Sequence, residues 1–158
     1  MILTTHALTG AVIGKNIENT WLVIILALII HYLLDTFRHG EYFDDRYAKI
    51  RDTWWKVALD LLATFSILFS VFSIQDWNEA TLINVSIGVF FSLLPDGLTL
   101  LYYFKLGGKI LIKIKSFHSF CHCYFRFPKY SPERQWTLRN ARNDILISLL
   151  SILLLFFF

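Results

Sequence analysis

Charge is scarce in this chain: Asp, Glu, Lys and Arg make up 17% of its 158 residues, against 56% hydrophobic and 17% aromatic. A soluble domain of this length cannot bury so much apolar surface, and the composition therefore indicates an integral membrane protein. Cysteine is limited to Cys121 and Cys123, too close together for an ordinary structural disulfide, which excludes an oxidised framework. Gly-x-Gly-x-x-Gly and P-loop patterns are lacking, and Gly107-Gly108 has no such pattern around it, so nucleotide and nucleic-acid modules are not expected. A Gly-x-Ser-x-Gly nucleophile elbow is lacking as well. The opening Met1-Ile-Leu-Thr-Thr-His6 carries no basic stretch, which argues against a cleaved secretory signal. There is no internal repeat and no low-complexity tract.

Five apolar segments are present, read as one all-α domain over residues 1–158: an integral membrane helical bundle of four to five spans. Residues 2–14 form a short first helix that Thr4 or Thr5 can cap, with His6, Gly10 and Gly14 at four-residue spacing. Glycines so spaced let another helix come close, and here they are expected to bring His6 towards the second helix. Asn19 or Thr20 caps that helix, which runs to about residue 37 before Gly40 and a mixed-charge loop. A third helix over 53–74 is roughly 33 Å long and starts with Trp54 and Trp55, residues suited to the membrane interface. A fourth, over 80–94, is expected to break at Leu94-Pro95-Asp96-Gly97 and resume to 104. Residues 105–142 form a basic insertion, in which 109–120 reads as an amphipathic helix on the membrane surface. Pro128 and Pro132 interrupt the rest of that insertion. The last run, 145–158, is roughly 21 Å as a helix and short for a full span.

Basic residues set the orientation. Arg38, Arg46, Lys49, Arg51 and Lys56 cluster after the second segment, and nine more Lys and Arg fall between 105 and 142. The turn at 75–79 has none and the turn at 15–20 has only Lys15. The positive-inside rule then places both basic stretches and the amino terminus in the cytoplasm. In that topology all five histidines, with Asp60 and Asp96, fall in one cytoplasmic layer.

The residues in that layer carry the functional argument. His31, Asp35 and His39 sit four apart after an uncharged apolar run from 19 to 30, so on a helix they share one face. Ionisable groups at such a place typically cost ~2.5–3.5 kcal/mol at mid-bilayer, and they usually mark a functional site. Imidazole with carboxylate suits zinc, iron, manganese or nickel, zinc first among these. His6, Asp60 or Asp96 can complete one or two divalent metals, Asp60 and Asp96 serving as ligand or catalytic base. The plainer alternative is that Asp35 hydrogen-bonds the imidazoles or pairs with Arg38. Asp60 can equally bond a neighbouring helix or pair with Lys56, and Asp96 can cap the segment after Pro95. His118 and His122 again share a face and are further candidate ligands. Cys121-His122-Cys123 has the wrong spacing for a zinc knuckle. Glu41, Asp44 and Asp45 read as a solvated loop, balanced by neighbouring Arg and Lys that can attract anionic headgroups.

Thr5-His6-x-x-x-Gly10, then His31-x-Leu33-Leu34-Asp35 with His39 close behind and Leu94-Pro95-Asp96 later, resembles the bacterial inner-membrane family of LexA-regulated, membrane-bound metal-dependent hydrolases. The ladder is also similar, more distantly, to the metal-binding His-x-x-x-Asp…His segment of zinc-dependent phospholipase C and related single-strand nucleases. The resemblance implies a metal-dependent hydrolase of a phosphoester or phospholipid at the inner membrane. Two other function classes fit the same residues: a cation or proton transporter component, and a structural or partner-binding membrane protein. A conduit expects polar residues continuing to the outer face, but helices two and three become apolar there except for Thr64, Ser66, Ser70 and Ser73.

Overall fold

A computed structural model describes residues 2–37, 39, 50–104, 108–124 and 141–157. The expectations for Arg38, Gly40, Glu41, Asp44, Asp45, Arg46, Lys49, Lys105, Gly107, Pro128 and Pro132 lie outside those residues. The described residues form six helices and no extended sheet: α1 (Leu3–Asn16), α2 (Thr20–Asp35), α3 (Ile50–Ile74), α4 (Glu79–Tyr103), α5 (Lys109–Tyr124) and α6 (Arg142–Phe157). The all-α expectation holds. Two helices, α3 over Trp54–Ile74 and α4 over Glu79–Tyr103, are long and apolar enough to cross a bilayer. The others have 14 to 16 residues, about 21–24 Å, less than the ~30 Å hydrocarbon thickness.

α1 is the central helix, packed on α2, α3, α4 and α6. Its closest approach is to α4, where Gly10 faces the Gly88 backbone and Gly14 faces Asn84 and Val85. A methyl on any of these three glycines would overlap backbone of the other helix, so the two chains touch with no side chain between them. The glycines themselves seat α1 against α4, while His6 reaches the second helix as expected, its ring stacked on His31. Beside this crossing Leu8, Ala11, Val71, Val85 and Leu155 form the apolar core.

Contacts along the helices establish their directions. Gly14 meets Asn84 and Gly10 meets Gly88, so α1 and α4 are antiparallel. Thr20 donates to Asn84 Oδ1 at 2.7 Å and His31 Nδ1 meets Ser92 O at 2.7 Å, so α2 runs with α4. Thr4 bonds Asp60 while Lys15 bonds Gln75, and Ile2 bonds Asp144 while Lys15 bonds Leu155, so α3 and α6 run with α1. Three starts and two ends thus share one end of the bundle, and α5 packs there on α4 and α2.

The caps differ in part from expectation. Asn19 does cap α2, its side chain accepting from the Leu22 N–H at 3.1 Å. At α1 the cap position is Ile2, which offers no side-chain bond, and Thr4 and Thr5 lie inside the first turn. The free amides of that turn are served from other helices: Asp60 accepts from Thr4 N and Asp144 from Ile2 N, both at 3.2 Å. Carboxylates at a helix amino terminus satisfy exposed N–H groups and oppose the positive end of the helix dipole. α4 does not break at Pro95; it continues from Glu79 to Tyr103 with the proline buried inside it. The proline removes one intrahelical bond, but neighbouring helices brace the segment on both sides, as is common for helices in apolar surroundings. Asp96 is accordingly a residue within a continuous helix, not the cap of a new one.

Candidate metal centre

Five histidines from four segments meet at the end of the bundle. His6 comes from the second turn of α1, His31 from the last turns of α2, His39 from just beyond α2, and His118 and His122 from α5. Asp35, in the last turn of α2, lies among them and is fully buried. Its Oδ2 has His118 Nε2 at 2.9 Å, His31 Nε2 at 3.1 Å and His122 Nε2 at 3.2 Å, while Oδ1 has His6 Nε2 at 3.2 Å. His6 stacks on His31 with ring centroids 4.1 Å apart. Asp96 joins from α4, with Oδ1 3.5 Å from His118 Nε2.

The other ring nitrogens show which atoms point inward as lone pairs. The His31 Nδ1 partner is a backbone carbonyl, Ser92 O, which can only accept, so Nδ1 carries the hydrogen and a neutral His31 presents its Nε2 lone pair to Asp35. The Thr99 hydroxyl donates to Pro95 O at 3.0 Å and therefore accepts from His118 Nδ1 at 2.7 Å. That again leaves Nε2 as the lone-pair atom. His39 repeats the pattern, with Nδ1 donating to Phe37 O at 2.6 Å. These are the outer hydrogen bonds that orient histidines as metal ligands.

Lone pairs brought together around a carboxylate repel one another unless positive charge lies among them. His31 Nε2 and His118 Nε2 are 3.4 Å apart, and His118 Nε2 and His122 Nε2 are 3.0 Å apart. Separate protons on all of these nitrogens would set N–H groups against each other in a site with almost no solvent. One divalent cation satisfies several lone pairs and the carboxylate at once. Two buried atoms, His6 Nδ1 and Asp96 Oδ2, have no hydrogen-bond partner, which fits a site built for an ion. Among the described residues three groups have ligand atoms close enough to hold a metal: His6, His31 and Asp96; His31, Asp35 and His118; Asp35, His39 and His122. The donor set of imidazole and carboxylate suits zinc, iron or manganese.

Of the residues singled out from sequence, His6, His31, Asp35, His39, His118, His122 and Asp96 are thus brought together. Asp60 belongs to none of these groups. Its carboxylate receives the Thr4 N–H and hydroxyl, and Thr64 donates to Thr4 Oγ1 at 2.9 Å and to Asp60 O at 3.0 Å. Asp60 fixes the start of α1 two residues before His6. Cys121 is buried on α5, where burial pushes its thiol pKa up and keeps it protonated, and it too lies outside the three groups.

Sequence reading missed Ser92 and Thr99. Ser92 serves two histidines: its carbonyl accepts from His31 and its hydroxyl donates to the His6 carbonyl at 2.5 Å. The signal was present, since Gly88, Ser92, Asp96 and Thr99 follow i, i+4, i+8, i+11 spacing along an otherwise apolar helix. Asn84 was missed as well; it bonds Thr20 and the carbonyls of Ile17 and Glu18, holding the turn between α1 and α2.

No protein-family profile matches the chain, and neither the curated proteins nor the solved structures include one detectably similar to it.

Proposed function

We propose that this chain is an integral membrane, metal-dependent hydrolase acting on a phosphoester or phospholipid at the cytoplasmic surface of the inner membrane. The observation that carries the reading is the convergence of the His31 and His118 Nε2 lone pairs on Asp35 Oδ2, with each ring oriented by an oxygen behind it. His6, His31, Asp35, His39, His118 and His122, with Asp96, are the residues that hold the metal, zinc first and manganese or iron next. When bound, the metal would supply Lewis acidity that lowers the pKa of water towards neutral pH.

The chain supplies orientation and access. Ser92, Thr99 and the Phe37 carbonyl hold the ring hydrogens away from the centre. The side chains of His6, His31 and Asp35 are 0% exposed, while those of His122 and Asp96 are 18% and 25% exposed. Substrate and water therefore enter on the side of Asp96 and His122. Asp96, partly exposed on that side, is the carboxylate available there as ligand or base. Lys109 and Lys113, exposed on α5, attract anionic headgroups to the membrane surface along this helix.

Several features support the membrane setting. Beyond the two long helices, α2 exposes Trp21, Ile25 and Ile29, and α6 exposes Leu146, Leu150 and Leu153. Apolar surface of that extent suits lipid and not water. The alternating directions of α1, α2, α3, α4 and α6 support five crossings, and the positive-inside rule then turns the ends of α2 and α4, after which the two basic stretches follow in sequence, to the cytoplasm.

The test is elemental analysis of protein purified in detergent, together with hydrolysis of phospholipid vesicles and of a chromogenic phosphodiester. Bound transition metal and activity that a chelator removes and the metal restores are expected, with loss of both in His31→Ala and Asp35→Asn. Protein that holds no transition metal even after reconstitution overturns the reading.

A further inference from the structure

We infer that the centre holds two divalent cations, one on each side of Asp35, an arrangement suited to a phosphoester substrate. The inference rests on the metal-centre reading above and extends it to number and substrate class.

Seven side chains meet here, more than one four-coordinate ion can use. Six of them fall into two sets of the same composition, and a third group, His31, Asp35 and His118, overlaps both. His6, His31 and Asp96 form one set; Asp35, His39 and His122 form the other, and in each set the ligand atoms lie within 4.8 Å of one another. Both sets are two imidazoles and a carboxylate. His118 lies between the two carboxylates, its Nε2 2.9 Å from Asp35 Oδ2 and 3.5 Å from Asp96 Oδ1.

Asp35 faces both ways. Oδ1 is turned to His6, and Oδ2 to His31, His118 and His122, so the two oxygens serve different imidazoles. An atom without a partner points to the same division. Asp96 Oδ2 belongs to the first set, and an ion held only by Asp35, His31 and His118 leaves it buried and unsatisfied. An ion in the first set has a use for it.

Two cations side by side can hold the attacking and the leaving oxygen of an in-line displacement, which is the geometry of phosphoryl transfer to water. The pairing of two equal ligand sets therefore favours a phosphoester.

The metal-free protein in lipid nanodiscs, titrated with Mn²⁺ and followed by calorimetry and electron paramagnetic resonance, tests the count. Two ions per chain are expected, with the spectrum of the loaded protein broadened by coupling between them. Asp96→Asn and His39→Ala are each expected to bind one ion, uncoupled. Saturation of the unmodified protein at one ion overturns the two-ion assignment while leaving the metal centre standing. Absence of any binding overturns both.

Discussion

His31 and His118 turn their Nε2 atoms to within 3.4 Å of each other, although one lies near the end of α2 and the other belongs to α5. Each is held there from behind, His31 by Ser92 O and His118 by the Thr99 hydroxyl, both at 2.7 Å. Two rings fixed with lone pairs facing inward form a site only if a cation joins them, and the outer oxygens then determine how well it binds.

Replacing Thr99 with Val removes the acceptor behind His118 while keeping the shape of the side chain. Metal affinity, measured by competition with a chelator of known strength, is expected to fall about 10–100-fold. Thr99→Ser retains the hydroxyl and is expected to recover most of the loss. Equal affinity in all three proteins would show that the hydroxyl does not orient the ring.

Acidification is expected to release the metal. A proton and a cation compete for the same imidazole lone pair, so binding is strongest above the ordinary histidine pKa of about 6.5 and weakens as pH falls through and below it. Metal retained per chain, read after dialysis across a pH series, should fall with more than one proton taken up per ion released. A profile flat to pH 4 would point to carboxylate ligands alone.

The crossing of α1 and α4 leaves no room for a side chain. Gly88→Leu or Gly14→Leu is expected to destabilise the protein by about 1–3 kcal/mol or more, the usual cost of overpacking, seen as a lower midpoint of thermal unfolding in detergent. Because Ser92, one turn from Gly88, touches His6, bound metal should also fall in Gly88→Leu. Gly97 and Gly108, where an added methyl meets nothing within 4 Å, serve as controls.

Asp60 is expected to act through α1. Asp60→Leu strands the Thr4 N–H and hydroxyl, at a cost of about 1–3 kcal/mol in stability, with metal stoichiometry unchanged. Loss of metal with full stability would instead assign Asp60 to the centre.

At the far end of α1, Lys15 donates to Leu155 O at 2.6 Å and to Gln75 Oε1 at 2.7 Å, tying the ends of α3 and α6 together. Lys15→Met is expected to lower stability by about 1 kcal/mol or less, given its partial exposure, and to leave metal content unaltered. The contrast with Gly88→Leu separates general loosening of the bundle from damage near the centre.

Much of the centre is legible in residue order, because four-residue spacing in a helix is a local property. His31 and Asp35 can be placed on one face without knowing any partner, and charge asymmetry puts His6, Asp96 and the later histidines at the same end. Residue order does not tell which helix meets which. Gly10 and Gly14 announce a close neighbour but not its identity, and only the matching Gly88 on α4 decides it. Pro95 reads as a break because its cost is local while the support of α4 comes from three other helices. Asp60 looks equally suited to metal and to hydrogen bonding, and nothing near it in sequence shows that the start of α1 lies beside it.

The bare contact at Gly10 also limits how far the centre can move. Gly10 lies one helical turn from His6, about 6 Å along the axis of α1, so it acts as the pivot of a very short arm. Metal–ligand distances tolerate only about 0.2 Å, and over such an arm that corresponds to a tilt of about 2°. Any larger tilt imposed on the bundle must then be absorbed by the outer helices while α1 and α4 turn as one body.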